Sequence, residues 1–250
     1  MEASYNIFSY YYDDLTRNIN YRELAKYLDI LIKKYSGKEN GILLDLACGT
    51  GSISEEMSTL GYDVIGVDNS EEMLNQAIEK KFDSGLNIQY ICQDMREIDM
   101  FGTIDITICM LDSINHLNSL EDVNRVFSKV SLFSEPDGLF IFDVNTKYKH
   151  EKVLANNVFI YETDDVYCVW ENSYREETDE VNINLEFFER NGNMYKRYSE
   201  SLSERAYDIA DLDKALIDNK FEILAHYDGF SLNPPYNQSE RIVFVARKVK

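Results

Sequence analysis

Between residues 42 and 144, short apolar segments alternate with segments of helical periodicity. Strands and helices that alternate along a chain form a parallel sheet with helices on both of its faces. The sequence therefore predicts an α/β fold. The predicted strands are residues 42–46, 63–67, 88–92, 104–110 and 139–144, and the predicted helices between them are residues 52–60, 71–82 and 120–133.

The pattern changes on both sides of this stretch. Residues 1–40 carry apolar side chains at helical spacing and are predicted to be helical. Tyr, Phe and Val alternate with polar residues over about 150–205, and Asn191-Gly192 is a hairpin turn signal. This segment predicts an antiparallel β insertion of three or four strands after the fifth strand. A helix at 206–219 and strands at 221–227 and 241–247 are predicted to complete the chain.

The charge of the chain limits its partners. Acidic residues outnumber basic residues 45 to 25, which gives a formal net charge of −20 at pH 7. Such a surface repels nucleic acids and anionic membranes. The four cysteines and three histidines are scattered, so neither a disulfide framework nor a metal site is expected. We recognise no membrane-length apolar run and no secretory signal, and therefore expect a cytoplasmic location.

The stretch L-L-D-L-A-C-G-T-G (residues 43–51) carries the strongest functional signal. A predicted strand ends near Asp45, and a turn with Gly49 and Gly51 opens the next helix. Side chains at these two glycines would keep a ligand away from the backbone. A second acid, Asp68, ends the next strand and is suited to accept both hydroxyls of a ribose. To this point the pattern fits any nucleoside cofactor.

Two positions distinguish between nucleoside cofactors. The dinucleotide fingerprint requires a third glycine three residues after Gly51, and Ser54 stands there instead. The carboxylate of Asp45 would repel a pyrophosphate, whereas it would attract an ammonium group. S-adenosylmethionine carries an ammonium, a sulfonium and a ribose, so these residues favour it over a nicotinamide dinucleotide.

The same residues resemble the motifs of class I S-adenosylmethionine-dependent methyltransferases of the small-molecule type. D-L-A-C-G-T-G resembles the glycine-rich first motif, with Ala47 in place of its first glycine. The segments Val64–Leu74, Cys92–Ile98 and Ile104–Leu117 resemble the next motifs in order. The resemblance implies a Rossmann-like seven-stranded, mostly parallel sheet whose last strand is antiparallel.

The resemblance also implies how the chain is organised and which residues hold the cofactor. It implies a single domain over 1–250, with an N-terminal helical lid at 1–40, a cofactor-binding half at 41–145, the insertion, and a final helix and strands at 206–250. Asp94 is expected to accept the amino hydrogens of adenine. The expected cofactor residues are Tyr12, Asp45, Ala47, Gly49, Gly51, Asp68, Asn69, Met73, Asp94, Met95 and Leu111.

Methyl transfer from a sulfonium releases a neutral thioether, so positioning and desolvation supply most of the acceleration. A general base is needed only where the acceptor must lose a proton early. His116 and Asp112, after the fourth strand, are the catalytic candidates. The candidate substrate-binding residues are Tyr21, Asn115 and Trp170.

Each candidate also has an ordinary structural alternative. Asp68 would serve as a helix N-cap, His116 would hydrogen-bond within its loop, and Trp170 would belong to the core of the insertion. The basic cluster of Lys147, Lys149, His150 and Lys152 is predicted to be a solvated loop, with the binding of an acidic acceptor as its alternative.

Several functions remain open beside methyl transfer to a small molecule. An NAD(P)-dependent oxidoreductase, an enzyme that makes polyamines from S-adenosylmethionine, and a non-catalytic S-adenosylmethionine-binding regulator would all use a similar fold. Methylation of RNA is disfavoured by the net charge. The sequence identifies neither the acceptor nor the oligomeric state.

Overall fold

The computed structural model describes residues 6–249, so residues 1–5 of the predicted helical lid lie outside the described residues. A 3-10 helix (Ser113–His116) and a π-helix (Lys149–Leu154) occur in addition to the α-helices. The other elements, in chain order, are α1 (Asn6–Leu15), α2 (Tyr21–Ser36), β1 (Ile42–Leu46), α3 (Ser52–Thr59), β2 (Asp63–Asp68), α4 (Glu71–Ser84), β3 (Gln89–Cys92), β4 (Ile104–Cys109), α5 (Leu120–Phe133), β5 (Ser134–Asn145), β6 (Val158–Glu162), β7 (Val166–Arg175), β8 (Glu180–Asn191), β9 (Met194–Arg205), α6 (Ile209–Asp218), β10 (Phe221–Asp228) and β11 (Arg241–Lys248).

The larger sheet has seven strands in the order β10-β11-β5-β4-β1-β2-β3. β1 pairs in parallel with β2 and β4, β2 pairs in parallel with β3, and β4 with β5. β11 runs antiparallel to both of its neighbours, β5 and β10. The predicted α/β class and the mostly parallel, seven-stranded sheet with an antiparallel last strand are therefore confirmed.

Side chains of the central strands alternate between two apolar layers, because successive residues of a strand point to opposite faces. Phe140 and Phe142 of β5 contact Phe127 of α5 on one face. Ile141, between them, belongs to the apolar layer that includes Leu28 of α2. Helices therefore cover both faces of the sheet, as the alternation of strands and helices predicts.

The inserted sheet consists of the antiparallel strands β6-β7-β8-β9, so the predicted insertion of three or four strands has four. Phe8 and Leu15 of α1 share an apolar cluster with Phe187 of β8. Glu200 of β9 accepts hydrogen bonds from the backbone N–H groups of Ile7 and Phe8, at 2.9 and 3.0 Å. These contacts join α1 to the inserted sheet.

α1 also contacts the turn that follows β1. Asp13 accepts a hydrogen bond from the hydroxyl of Thr50 at 2.7 Å and forms an ion pair with Lys80 of α4. α1 therefore connects the inserted sheet with the larger sheet. The organisation of the chain as a single domain stays a prediction. None of the helices between residues 6 and 249 is both long and apolar enough to cross a membrane.

Two stretches differ in detail from the sequence analysis. The helical segment before residue 40 is divided, because Asn20 caps a new helix by accepting a hydrogen bond from the N–H of Glu23 at 3.2 Å. The segment Glu135-Pro136-Asp137-Gly138, whose residues are typical of a turn, belongs to β5, whose register against β4 shifts in this stretch. Asp137 has a left-handed φ of 67° there, which fits a local bulge.

Candidate active site

A cavity of about 510 Å³ opens at the carboxyl ends of β1, β2, β4 and β5, with α1 and the inserted sheet as further walls. This edge is where open α/β sheets bind their ligands. Asp45, Gly51, Tyr21 and Asn115 do not line it. The predicted site residues that line it are Tyr12, Ala47, Gly49, Asp68, Asn69, Met73, Asp94, Met95, Leu111, Asp112, His116 and Trp170.

The turn after β1 places its two glycines in different surroundings. Gly49 has a left-handed φ of 55°, and a Cβ atom there would point into open space. Gly51 has a left-handed φ of 74°, but a Cβ atom there would lie 2.3 Å from the Oη of Tyr90. Gly49 therefore leaves the backbone open to a ligand. The predicted role of Gly51 is corrected, because this glycine permits close packing against β3.

Asp68 ends β2 beside that turn. Its Oδ2 accepts a hydrogen bond from the N–H of Gly49 at 2.8 Å, and its Oδ1 accepts one from the N–H of Ser70 at 2.9 Å. Burial raises the pKa of Asp68, although these backbone donors oppose the effect. The cap of α4 is Ser70, whose hydroxyl accepts from the N–H of Met73 at 3.2 Å, so the N-cap alternative for Asp68 is wrong.

Asp45 does not reach the cavity. Its side chain is buried and accepts a hydrogen bond from the hydroxyl of Ser54 at 2.6 Å. Burial raises the pKa of Asp45 to about 7. The predicted direct attraction between Asp45 and an ammonium group is therefore corrected. Asp45 instead holds Ser54, the residue that replaces the third glycine of the dinucleotide fingerprint.

Asp94 and Met95 follow β3 and line the cavity next to the end of β2, where the N–H of Gln93 bonds to the carbonyl of Asp68. The Nε of Arg96 donates to both carboxylate oxygens of Asp94, at 2.9 and 3.1 Å. These hydrogen bonds lower the pKa of Asp94. An adenine amino group would therefore compete with Arg96 for this carboxylate.

The loop after β4 contains two residues with left-handed backbone, Leu111 and Asp112, with φ of 59° and 56°. Such conformations cost about 1–3 kcal/mol each and persist where surrounding contacts hold them. The fully buried Asp143 of β5 supplies these contacts. Its Oδ1 accepts from the N–H of Leu111 at 2.6 Å, and its Oδ2 accepts from the N–H of Asp112 at 3.1 Å.

Arg241, the first residue of β11, joins this group of charges. Its guanidinium pairs with the carboxylates of both Asp112 and Asp143. Burial raises the pKa of Asp112, but the positive charges of Arg241 and Lys149 outweigh burial and hold it at about 2. Asp112 is therefore ionised at neutral pH and is a poor proton acceptor. Its predicted catalytic role narrows to that of a fixed negative charge and hydrogen-bond acceptor.

Lys149 of the basic cluster and Glu204, for which no site role is predicted, both line the cavity. Asn145 joins them, because its Oδ1 accepts from the Nζ of Lys149 and its Nδ2 donates to the Oε2 of Glu204, both at 2.9 Å. Burial lowers the pKa of Lys149. Lys149 and the fully buried His150 belong to the π-helix, so the predicted solvated loop is wrong for both.

The side chains of Asp112, His116 and Glu204 converge, although Glu204 lies in β9 and the other two lie in the loop after β4. One polar atom of each lies within 4.8 Å of the other two. Two carboxylates and an imidazole are suited to a transition metal. Arg241 and Lys149 oppose a metal ion here, since both are cations beside Asp112. That these three side chains bind no metal ion stays a prediction.

Tyr21 and Asn115 make structural contacts outside the cavity lining, which corrects their predicted substrate contacts. The hydroxyls of Tyr21 and Thr16 share a hydrogen bond of 2.8 Å. Asn115 is fully buried, and its Oδ1 accepts from the N–H of Asn145 at 2.9 Å. Its Nδ2 donates to the carbonyl oxygens of Asn145 and Arg205, at 3.1 and 2.8 Å. Asn115 therefore braces the ends of β5 and β9, next to Glu204.

Tyr12 and Trp170 line the cavity from α1 and β7. Burial raises the pKa of Tyr12 well above its ordinary value, so its hydroxyl stays protonated at neutral pH. The indole N–H of Trp170 donates to the Oδ1 of Asn172 at 2.7 Å, and its ring centroid lies 6.1 Å from that of Tyr161. Tyr161 and Phe159 of β6 line the same cavity.

The residues of this cavity fit S-adenosylmethionine. The open position at Gly49 leaves room for a ligand beside the turn, and the carboxylate of Asp68 offers acceptor atoms suited to ribose hydroxyls. Met73 and Met95 add apolar surface to the lining. These features belong to the first three of the four motifs that the resemblance rests on.

The chain is similar to known methyltransferases. A family model described as a methyltransferase domain matches residues 43–138. YqeM of Bacillus subtilis (strain 168), named as a methyltransferase without a stated substrate, is 32% identical over 98% of each chain.

Two solved structures share the fold. The crystal structure of an S-adenosylmethionine-dependent methyltransferase from Clostridium acetobutylicum ATCC 824 has a TM-score of 0.88 and 33% identity, and the match covers 98% of this chain and 99% of that one. CalS10, an amino pentose methyltransferase from Micromonospora echinaspora solved with S-adenosylmethionine bound, has a TM-score of 0.76 and 17% identity over 96% of each chain.

The full-length similarity to YqeM and to the Clostridium enzyme covers the lid, the larger sheet and the insertion together. This similarity excludes an NAD(P)-dependent oxidoreductase and a non-catalytic regulator. The chain belongs to the class I S-adenosylmethionine-dependent methyltransferases, and this enzyme's cofactor is S-adenosylmethionine.

Proposed function

We propose that the enzyme methylates a small molecule, which binds in the cavity beside Asp112 and His116. The observation that carries this proposal is the enclosure of the cavity by α1 and the inserted sheet. A protein or nucleic-acid acceptor would have to reach past both walls, and the net charge of −20 repels nucleic acids. The cysteines Cys48, Cys92, Cys109 and Cys168 are free, which fits a reducing compartment such as the cytoplasm.

The cofactor, when bound, supplies a methyl group on a sulfonium that leaves as a neutral thioether. We assign the ribose hydroxyls to Asp68 and the close backbone approach to Gly49. Asp94 and Met95 are assigned to the adenine. The remaining cofactor contacts are assigned to Tyr12, Ala47, Asn69, Met73 and Leu111, which line the cavity.

The residues around the acceptor act by positioning it and by excluding water. These effects account for most of the acceleration in a displacement whose leaving group is neutral. His116 is assigned the proton of an acceptor that must lose one, because it lines the cavity near Asp112 and Glu204. Asp112 supports a positive charge that develops on His116 or on the acceptor.

Calorimetric titration with S-adenosylmethionine, S-adenosylhomocysteine and NADH tests the cofactor site. We expect both adenosyl ligands to bind and NADH not to bind. Asp68→Ala should weaken the binding of both adenosyl ligands by about tenfold or more, since a charged acceptor is lost. Asp63→Ala, at the exposed start of the same strand, is the matched control. Equal losses in the two variants would contradict the role of Asp68.

Transfer of a labelled methyl group into a fractionated cell extract tests the size of the acceptor. We expect the label in the fraction that passes a small-pore filter and not in protein or RNA. Label retained with the macromolecules, and released by protease or ribonuclease, would show that the acceptor is not a small molecule.

A further inference from the structure

We propose that the acceptor atom is the nitrogen of a small amine, and that Glu204 of the inserted sheet receives it together with Asp112 and His116. The inference rests on the proposed function, because it names the substrate class of the same site. Four observations support it: the geometry of the three side chains, the balance of buried charge, the support of Glu204, and the aromatic wall.

The three side chains leave a place for one small polar group. One polar atom of each lies within 4.8 Å of the other two, and none of the described hydrogen bonds joins the three side chains to one another. Ionised Asp and Glu offer only acceptor atoms, and a neutral imidazole offers one more. An amine nitrogen carries several N–H donors and can satisfy all three, whereas a hydroxyl carries one.

The buried charge near this place is negative. The carboxylates of Asp112, Asp143 and Glu204 stand against the cations of Arg241 and Lys149, which leaves one negative charge in excess when His116 and His150 are both neutral. A protonated amine removes this excess, and an anionic acceptor enlarges it. A divalent metal would overcompensate it and would meet repulsion from Arg241 and Lys149.

Burial and hydrogen bonds hold the side chain of Glu204 in this position. Its side chain is nearly inaccessible to solvent, its Oε2 accepts from Asn145 at 2.9 Å, and it lies 3.4 Å from the Nε2 of His150. A buried carboxylate is stable only where hydrogen-bond donors or cations contact it. A ligand in the cavity can supply one further donor to Glu204.

The same cavity also offers aromatic and apolar side chains that suit the body of an amine. Phe159, Tyr161 and Trp170 line the same cavity, together with Leu154 and Leu202. Aromatic faces attract a cation, and the apolar side chains accommodate hydrocarbon. The acceptor is therefore an amine with an apolar or aromatic body.

The chemical step balances with these groups. The protonated amine gives one proton to the imidazole nitrogen of His116, which frees the nitrogen lone pair. That lone pair forms the new C–N bond to the methyl carbon while the C–S bond breaks and its electron pair returns to sulfur. The product is a methylammonium ion and a neutral thioether, and the proton on His116 leaves to water when the product departs.

Calorimetry with matched probes tests the proposal. The protein is first saturated with S-adenosylhomocysteine and then titrated with 2-phenylethylamine, 2-phenylethanol or phenylacetate at neutral pH. We expect the amine to bind most tightly. Glu204→Gln should weaken amine binding by about tenfold or more, because a charge-assisted hydrogen bond is lost. It should leave S-adenosylhomocysteine binding unchanged.

The matched control is Glu171→Gln, which makes the same change at an exposed position of β7 and should leave both titrations unchanged. His116→Asn is a second test variant for the case in which thermal melting shows that Glu204→Gln does not fold, and it should also weaken amine binding.

Four results would overturn the inference. They are tighter binding of the alcohol or the carboxylate, amine binding insensitive to both test variants, failure of every amine in a size series to bind, and stoichiometric binding of Mn²⁺ or Zn²⁺ that Glu204→Gln abolishes. Failure of S-adenosylhomocysteine to bind is a different outcome, since it would contradict the cofactor site on which the proposed function rests.

Discussion

The two ends of the cavity draw on the chain in different ways. The end assigned to the cofactor is made by turns directly after β1, β2 and β3, and its key contact joins Gly49 to Asp68, 19 residues apart. The end assigned to the acceptor joins Asp112 to Arg241, 129 residues apart, and Asn145 to Glu204, 59 residues apart. The first end depends on local backbone geometry, and the second depends on tertiary contacts.

The difference also concerns the kind of force that holds each end. The carboxylate of Asp68 is held by backbone N–H groups of the turn after β1 and of the start of α4. The cofactor end therefore depends mainly on contacts between residues that are close in sequence. The acceptor end is held by buried charges that have lost water and depend on one another. We therefore expect substitutions at the acceptor end to affect stability more, and substitutions at the cofactor end to affect ligand binding more.

Arg241→Leu should have the largest effect. It leaves Asp143 buried at 0% exposure without its ion-pair partner, and we expect the free energy of unfolding in urea to fall by about 3–5 kcal/mol. The control is Arg197→Leu, which breaks the exposed pair with Glu186 and should change stability little. Equal effects of the two substitutions would mean that the buried charges do not hold the acceptor end.

Gly51→Ala and Gly49→Ala should separate packing from ligand access within one turn. Gly51→Ala should lower the free energy of unfolding by about 2–3 kcal/mol, because a left-handed residue gains a Cβ that overlaps Tyr90. Gly49→Ala carries only the conformational part, about 1–2 kcal/mol.

The binding of S-adenosylhomocysteine should reverse this order. Gly49→Ala places a methyl group where the cavity is open, so it should weaken binding more than Gly51→Ala does. Urea unfolding and calorimetry on the same two proteins provide the measurement. The same order in both measurements would contradict the assignment of Gly49 to the ligand and Gly51 to packing.

The contrast between the two ends also explains what the sequence can predict. The positions of the strands along the chain, the turn with Gly49 and the position of Asp68 follow from patterns that extend over a few residues. Asp143 and Arg241 could not be found in this way, because their roles depend on which strands become neighbours. β11 inserts between β5 and β10, and no local pattern states that.

The site predictions that the structure corrects also fail because they depend on tertiary contacts. Asn115 is a polar residue in the right loop, but the left-handed backbone at Leu111 and Asp112 redirects the chain, and Asn115 turns inward to brace two strand ends. Asp45 lies one residue before the end of β1, but its side chain is buried and bonded to Ser54 and does not face the cavity. The basic residues after the fifth strand include Lys149, but the sequence does not show that Lys149 lies in a π-helix and lines the cavity.

Asp45→Asn should change how stability depends on pH. The pKa of Asp45 in the folded protein is about 7, above its ordinary value of 3.8, because its ionised form is buried. The stability contributed by the protonated form is therefore complete below the ordinary pKa and is lost as the pH rises through 7. Asn keeps the acceptor for Ser54 and has no charge to bury.

The expected difference between the wild-type protein and Asp45→Asn grows by about 2.5 kcal/mol in favour of the variant between about pH 5 and about pH 8. Urea unfolding at several pH values measures it. Asp63→Asn, on the exposed start of β2, should follow the wild type at every pH. A constant difference between Asp45→Asn and the wild type would contradict the raised pKa.

Ala47→Gly should have the smallest effect, and its sign is the informative part. Ala47 has a left-handed φ of 59°, a conformation that costs a residue with a Cβ about 1–2 kcal/mol. Glycine relieves this strain but loses about 0.5–1 kcal/mol of backbone entropy on folding. We therefore expect a stabilisation of less than about 1 kcal/mol in urea unfolding.

Ala77→Gly, at a buried position inside α4, should destabilise instead, because there the entropy term acts without compensating strain. Destabilisation by both substitutions would mean that the turn holds Ala47 without strain, and the cofactor end would then depend on tertiary contacts as the acceptor end does.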